Sequence, residues 1–333
     1  MSKTVTMAEL AKMFNVSKVT ISNALNDKEG VSPSLKEEIK KKAEELGFCL
    51  NSAARNLKTA KSYNIGVMIP ERFIGDSEPY YLGIYGKLSN KFSSLGYSCI
   101  MECLTYEKES KLELPMMYKD SKIDAIILIG QLNYDYLKLF ENFSIPVLFF
   151  DFYNFNLNVD SLCLDNFTIG YLLTDYLIKN GHKNIGFVGN IYSTSSIQDR
   201  YLGFYRALLE NKLELNMKYV VSDRDEYGTS IDLEINELPT AFVCNNDHHA
   251  YSLIIKLNQK GIKVPEDVSV VAFDNTIYSK LSNPMITTSD NHIDNMVEVA
   301  SKVILKKLSS NKVYGRVFVQ GEIIERDSVR RIG

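Results

Sequence analysis

From Ser62 onward, short apolar runs alternate with segments of helical period, and that alternation leaves few folds open to the chain. The runs Ile65 to Ile69, Cys99 to Leu104, Ala125 to Ile129 and Val147 to Phe150 are too short for buried helices and are separated by helical patterns such as Gly83 to Ser94. The same grammar resumes with Leu162 to Leu164, Ile185 to Val188, Lys218 to Val221, Ala241 to Cys244 and Val268 to Phe273. Continuous apolar runs joined by crossover helices mark parallel strands covered on both faces. Roughly nine or ten such strands exceed one compact half, and the pattern restarts near Asn158 after an aromatic, polar stretch. The expectation is an α/β body of two parallel-sheet lobes over 62–333 with a cleft between them. Lobe 1 is placed at about 62–160 plus 292–333 and lobe 2 at about 161–291.

The first 48 residues follow a different rule. Thr6 with Glu9 three positions later forms a capping box ahead of Met7, Leu10, Ala11 and Phe14. A second helix starts after Ser17, and a third is announced by Ser32 as N-cap and Pro33 at the first helical position, stopping at Gly47. An all-α head of three short helices is predicted over 1–48. In AELAKMFNVSKVTISNALN, small and apolar residues let two helices cross closely, while Lys18, Val19, Ser22 and Asn23 face outward. That is helix-turn-helix spacing, in which the second helix fits a major groove. A generic helical hairpin shares this periodicity, so spacing alone leaves both readings open.

Charge supports the division. The chain carries a net charge of -3, but residues 1 to 62 balance at +4 and the remainder at -7, so a small basic module joins a larger acidic body. That balance fits a chain that puts one end against a polyanion, and it also fits a solvated helical surface. There is no apolar run of membrane-spanning length and no apolar leader in MSKTVTMAEL, so no membrane partner is expected and the cytoplasm is the expected compartment. Cys49, Cys99, Cys103, Cys163 and Cys244 are scattered and odd in number, which suits reduced thiols better than bridges or a metal site. Neither GxxxxGK[ST] nor GxSxG is present, and His182, His248, His249 and His292 lack metal-ligand spacing. Neither an enzyme nor a cofactor is expected.

The stretches TMAELAKMFNVSKVTISNALN and EGVSPSLKEEIKKKAEELGF resemble the opening of the lactose-repressor/galactose-repressor (LacI/GalR) family of bacterial transcriptional regulators. The resemblance runs on through FCLNSAARNLKTAKS, YNIGVMIP, LCLDNFTIGYLLTDYLIKNGHKNIGFVGN, AFVCNNDHHA and GIKVPEDVSVVAFDN, and so covers essentially the whole chain. More distantly, the body resembles periplasmic sugar-binding proteins. The family implies a helix-turn-helix head, a hinge over 49–61, and an effector-binding and dimerisation body. It implies a dimer on a near-palindromic operator, with operator affinity set allosterically by a small molecule acting as inducer or corepressor.

By that resemblance, DNA contacts fall on Thr6, Ser17, Lys18, Val19, Thr20, Ser22, Asn23 and Asn26, with Lys18 and Val19 discriminating among operators. In the hinge they fall on Asn51, Ala54, Arg55, Leu57 and Lys58, Leu57 being the wedge between base pairs. Asn23 stands where the family commonly has Arg, which favours adenine over guanine. Effector contacts fall on Asp151, Arg200, Asn246 and Asp274 at strand or helix ends, with Tyr80 and Phe150 as aromatic contacts. The expected effector is a sugar, and the expected target is carbohydrate-utilisation genes. A purine effector and a stand-alone sugar-binding protein are the alternatives. Asp247 is expected to cap a helix and support the cleft floor, and His182 to be structural.

Overall fold

A computed structural model describes residues 5–25, 27–48, 61–74, 80–225, 228–310 and 312–332. Its contacts divide the chain into two units, Met1–Lys61 and Ser62–Gly333.

The first unit holds α1 (Met7–Met13), α2 (Lys18–Leu25) and α3 (Pro33–Glu45). Thr6 closes its capping box: its hydroxyl accepts from the Glu9 N–H, and Glu9 accepts from the Thr6 N–H at 2.7 Å. Ser17 accepts from the Thr20 N–H at 3.0 Å and starts α2, while Ser32 and Pro33 start α3 as the sequence predicts. The turn between α1 and α2 passes through Asn15 at φ 53°, a conformation Asn tolerates better than most residues. Leu10, Ala11, Ile21, Ala24, Ile39 and Ala43 form the core of this unit.

The second unit is built on two parallel sheets. Strands β1 (Asn64–Pro70), β2 (Ser98–Leu104), β3 (Ala125–Ile129), β4 (Val147–Phe150), β5 (Asp160–Leu164) and β11 (Arg316–Val319) make the first, in the order β11-β5-β4-β3-β1-β2. Strands β6 (Ile185–Val188), β7 (Val220–Val221), β8 (Ala241–Cys244) and β9 (Ser269–Val271) make the second, in the order β7-β6-β8-β9. A third, antiparallel pair joins β10 (Thr288–Asp290) with β12 (Glu322–Ile324). The longer helices are α4 (Tyr80–Ser94), α5 (Asn166–Lys179), α6 (Ser195–Glu210), α7 (Asp247–Gln259) and α8 (Ile293–Ser309).

Two boundaries differ from the sequence-based expectation. The run Leu162–Leu164 was expected to open lobe 2, yet β5 pairs with β4 and β11 in the first sheet, and lobe 2 begins at α5. The last residues, expected in lobe 1, return to lobe 2: the Val270 N–H donates to the Ser328 carbonyl, and Ile332 donates to Asn180. Which sheet a strand joins depends on long-range partners that local apolar pattern does not encode. Val297 is buried in the lobe 1 core with Met296 and Ala300. His182 bonds Thr240 and the Arg330 carbonyl, each at 3.1 Å, and so ties the tail to the second sheet.

Glycines set the packing of α5 on α6. A Cβ at Gly170 would stand 2.3 Å from the Arg200 carbonyl oxygen, and one at Gly203 would stand 2.1 Å from that of Phe167. Only hydrogen fits at either position. The close approach fixes the backbone of Arg200, the residue on which the cleft is organised.

Candidate functional site

In the head, α2 buries Ile21 and Ala24 and turns Lys18 and Val19 to solvent. Val19 is 67% exposed. Thr6 and Ser17 are exposed, with their hydroxyls engaged in capping, while Thr20, Ser22 and Asn23 are half-buried. The exposed start of α2 presents an ammonium group, of the kind that can pair with phosphate or base edges, beside a branched apolar side chain, of the kind that can contact a thymine methyl. Asn26, Asn51, Ala54, Arg55, Leu57 and Lys58 lie outside the described residues.

In the body, a cavity of about 330 Å³ opens between the two sheets at the carboxyl ends of their strands. This is where parallel α/β sheets present side chains to ligands. Tyr80, Asp151, Arg200, Asn246 and Asp274 all line it, five of the six effector positions expected from the sequence. Phe150 does not. It is fully buried in the lobe 1 core beside Ile127 and Ile129, because β4 is covered on both faces and alternate side chains enter different core layers. Phe152, two residues on, lines the cavity instead and stacks on Phe149 at 4.7 Å.

Arg200 lies in the second turn of α6 rather than at its start, and it organises the cleft. Its Nε donates to Asn166 at 2.7 Å, Nη1 donates to the Asn245 carbonyl, and Nη2 donates to Asp274 at 3.0 Å, while the guanidinium lies over the Phe273 ring at 4.4 Å. Three of its donors therefore hold the protein together, leaving fewer for an effector. Burial opposes its charge, but Asp274 and Asp151 outweigh that and keep it more basic than usual.

The two carboxylates sit on backbone that side chains rarely adopt. Asp151 has φ 69° and Asp274 has φ 96°, strain of the kind that gathers at binding sites. Each is pinned by a neighbouring strand, Asp151 N–H to Leu162 and Asp274 N–H to Ser289. The Tyr81 hydroxyl donates to one Asp151 oxygen at 3.2 Å, and the other, Oδ1, is buried with no hydrogen-bond partner among the described residues. Burial is the main cause that pushes the Asp151 carboxyl up to about 7, with Asp274 adding to it and Arg200 opposing it.

Asn246, not Asp247, is the N-cap of α7, its side chain accepting from the His249 N–H at 2.8 Å. Asp247 does support the floor: it accepts from the Thr276 N–H and hydroxyl and from Thr288. Burial raises its carboxyl to about 7 as well. Asn291 donates to the Tyr80 hydroxyl at 3.1 Å and to Asp274 at 2.7 Å, so it fixes both.

Sequence reasoning missed Phe73, Gln131, Asn245, Asn275 and Asn291. Gln131 follows β3 and Asn245 follows β8, so the strand-end rule that found Asp151 would have found them too. Asn291 follows β10, but the polar run Thr288–Asp290 gives no apolar strand signal, so the rule had nothing to act on there. Among the described residues, no group of three His, Cys, Asp or Glu is placed to hold a metal ion, and no helix is long and apolar enough to cross a membrane.

Comparison with known proteins finds matches over both parts of the chain. Residues 6–51 match the family described as bacterial regulatory proteins, lacI family, and residues 174–329 match the periplasmic binding protein-like domain. The HTH-type transcriptional repressor PurR of Haemophilus influenzae (strain PittEE) is 29% identical, covering 98% of this chain and 99% of its own length. PurR of Aliivibrio salmonicida (strain LFI1238) is 27% identical over the same shares. Among solved structures, the lac repressor dimer bound to operator and the anti-inducer ONPF has the same fold, with a TM-score of 0.79 at 20% identity over 98% of this chain and 100% of that one. The transcriptional regulator CelR–cellobiose complex gives 0.70 at 19% identity over 97% and 99%.

Proposed function

Because the chain belongs to the lacI family of bacterial regulatory proteins and is a DNA-binding transcriptional repressor rather than an enzyme, we propose that its operator affinity is set by a small hydroxylated effector, a sugar, bound in the cleft of the body. Asp151 carries this reading. A buried carboxylate oxygen without a partner among the described residues, beside the Arg200–Asp274 pair, calls for a hydrogen-bond donor from a ligand. Hydroxyls supply such donors, and the rings of Phe73, Tyr80 and Tyr81 offer apolar faces to a pyranose.

On the DNA side, Lys18 and Val19 read the major groove and Thr20, Ser22, Asn23 and Asn26 support them, with Thr6 and Ser17 at the helix starts. Asn51, Ala54, Arg55, Leu57 and Lys58 form a hinge whose Leu57 wedges the operator centre. The units 1–48, 49–61 and 62–333 act as head, hinge and receptor. Two chains pair through the body and read a near-palindrome, and the regulated genes serve carbohydrate use.

A purine effector is the second reading, favoured by the aromatic rings of Phe73, Tyr81 and Tyr278 along one cavity, which suit a planar base. A thermal-shift panel of D-glucose, D-galactose, cellobiose, adenine and hypoxanthine separates the two. An effector at a hundred times its Kd adds about 2.7 kcal/mol of stability. Stabilisation by a sugar alone supports the first reading, and stabilisation by a base alone replaces it with the second. Selection from a random duplex pool tests the DNA side, and enrichment of a near-palindrome is the expected result.

A further inference from the structure

We propose that Gln131 is both an effector-contacting residue and the clasp that holds the two lobes closed across the cleft, an assignment that rests on the effector reading above. Gln131 follows β3 in lobe 1 and lines the cavity. Its Oε1 accepts from the Ser195 N–H at 2.7 Å, and Ser195 is the first residue of α6 in lobe 2. A backbone N–H only donates, so the atom facing it is the carbonyl oxygen, and this settles the orientation of the amide. The NH₂ group has no hydrogen bond among the described residues, and because Gln131 lines the cavity it is available there as a pair of donors.

The clasp stands on a rigid base. The Gln131 carbonyl accepts from Arg72 at 2.7 Å, and Arg72 is paired at 2.6 Å with Glu109, whose side chain is fully buried. Glu109 also accepts from the Asn133 N–H at 2.7 Å, so one carboxylate holds both sides of the turn. Gly130, at φ 79°, lets the chain leave β3 tightly against Phe73, where a Cβ would fall 2.8 Å from the ring. An amide mounted this firmly transmits a change in cleft occupancy to α6, on which Arg200 also rides.

Two substitutions separate the roles in the full chain. Gln131→Leu removes both the acceptor and the donors. Gln131→Glu keeps an acceptor for the Ser195 N–H, favoured by the helix N-terminus, and removes the donors. In the free protein, hydrogen exchange of the first turn of α6 is expected to quicken about fivefold in Q131L, the loss of one net hydrogen bond, and to stay at the parent rate in Q131E. Whichever of the five panel compounds stabilises the parent is expected to bind both variants at least about fivefold more weakly, while the melting temperature of free Q131E matches the parent.

Parent-like exchange in Q131L overturns the clasp. Parent-like affinity in Q131E overturns the donor role. If no panel compound shifts the parent protein, the effector reading falls and takes the donor role with it, whereas the exchange rates still judge the clasp.

Discussion

Replacing Gly170 by alanine tests whether the close contact of α5 and α6 holds the cleft in place. The new Cβ would lie 2.3 Å from the Arg200 carbonyl oxygen, whereas ordinary contact begins at 3.4 Å, so the two helices must part by about 1 Å. The obstructing atom is backbone and cannot rotate aside. Overpacking of this kind costs about 1–3 kcal/mol, and alanine returns up to about 1 kcal/mol through helix propensity. With that full return the net loss is up to about 2 kcal/mol, which corresponds to a melting temperature lower by up to about 4–8 °C in a body of this size. Gly86 in α4 has nothing within 4 Å of its would-be Cβ, so Gly86→Ala gives the bare propensity effect and is expected to raise the melting temperature by about 2–4 °C. The assay is paired thermal melts of the full-length variants, with and without the panel compound that stabilises the parent. G170A is also expected to lose that compound's shift, because its backbone displacement moves the guanidinium away from Asn166 and Asp274. If G170A melts with G86A, the reasoning about helix contact is refuted. If it melts low but keeps the ligand shift, the link from helix contact to cleft is refuted.

Other outcomes follow from the same geometry. Arg200→Met leaves Asp274 buried without its cation and is expected to cost about 3–5 kcal/mol in urea unfolding; a smaller loss than Thr6→Ala, which removes one exposed cap worth about 0.5–2 kcal/mol, contradicts its organising role. Asp151 and Asp247 titrate near 7 when folded against 3.8 as the reference, so the folded state holds more protons between those values. Their contribution to stability is therefore full below about 4, is lost as the pH rises to about 7 and is flat above, and Asp151→Asn should flatten part of that slope in melts run across this range. Val19→Ala is expected to leave stability within about 0.5 kcal/mol while changing which operator bases are preferred in a binding selection; unchanged preference removes Val19 from the readout.

Much of this was legible because the chemistry is local. Thr6 with Glu9 and Ser32 with Pro33 announce helix starts by hydrogen-bond and φ requirements that neighbours alone satisfy. Asp151 and Asp274 could be found because polar residues just past apolar strands stand at the open edge of a parallel sheet. Phe150 misled because a strand buried on both faces has no alternation to tell cleft from core. Asn246 and Asp247 were exchanged because either residue type caps a helix, and only the backbone decides which one is in the extended conformation. The assignment of β5 to the first sheet, and of the tail to lobe 2, rests on partners far away in the chain.

The central claim is that an occupied cleft changes how tightly the head holds DNA. Fluorescence anisotropy of a labelled near-palindromic duplex taken from the selection, titrated with full-length protein at fixed salt with and without the stabilising compound, measures that coupling directly. The account predicts operator affinity shifted by about fivefold to 150-fold in one direction. Superimposable titrations with the cleft saturated would contradict it.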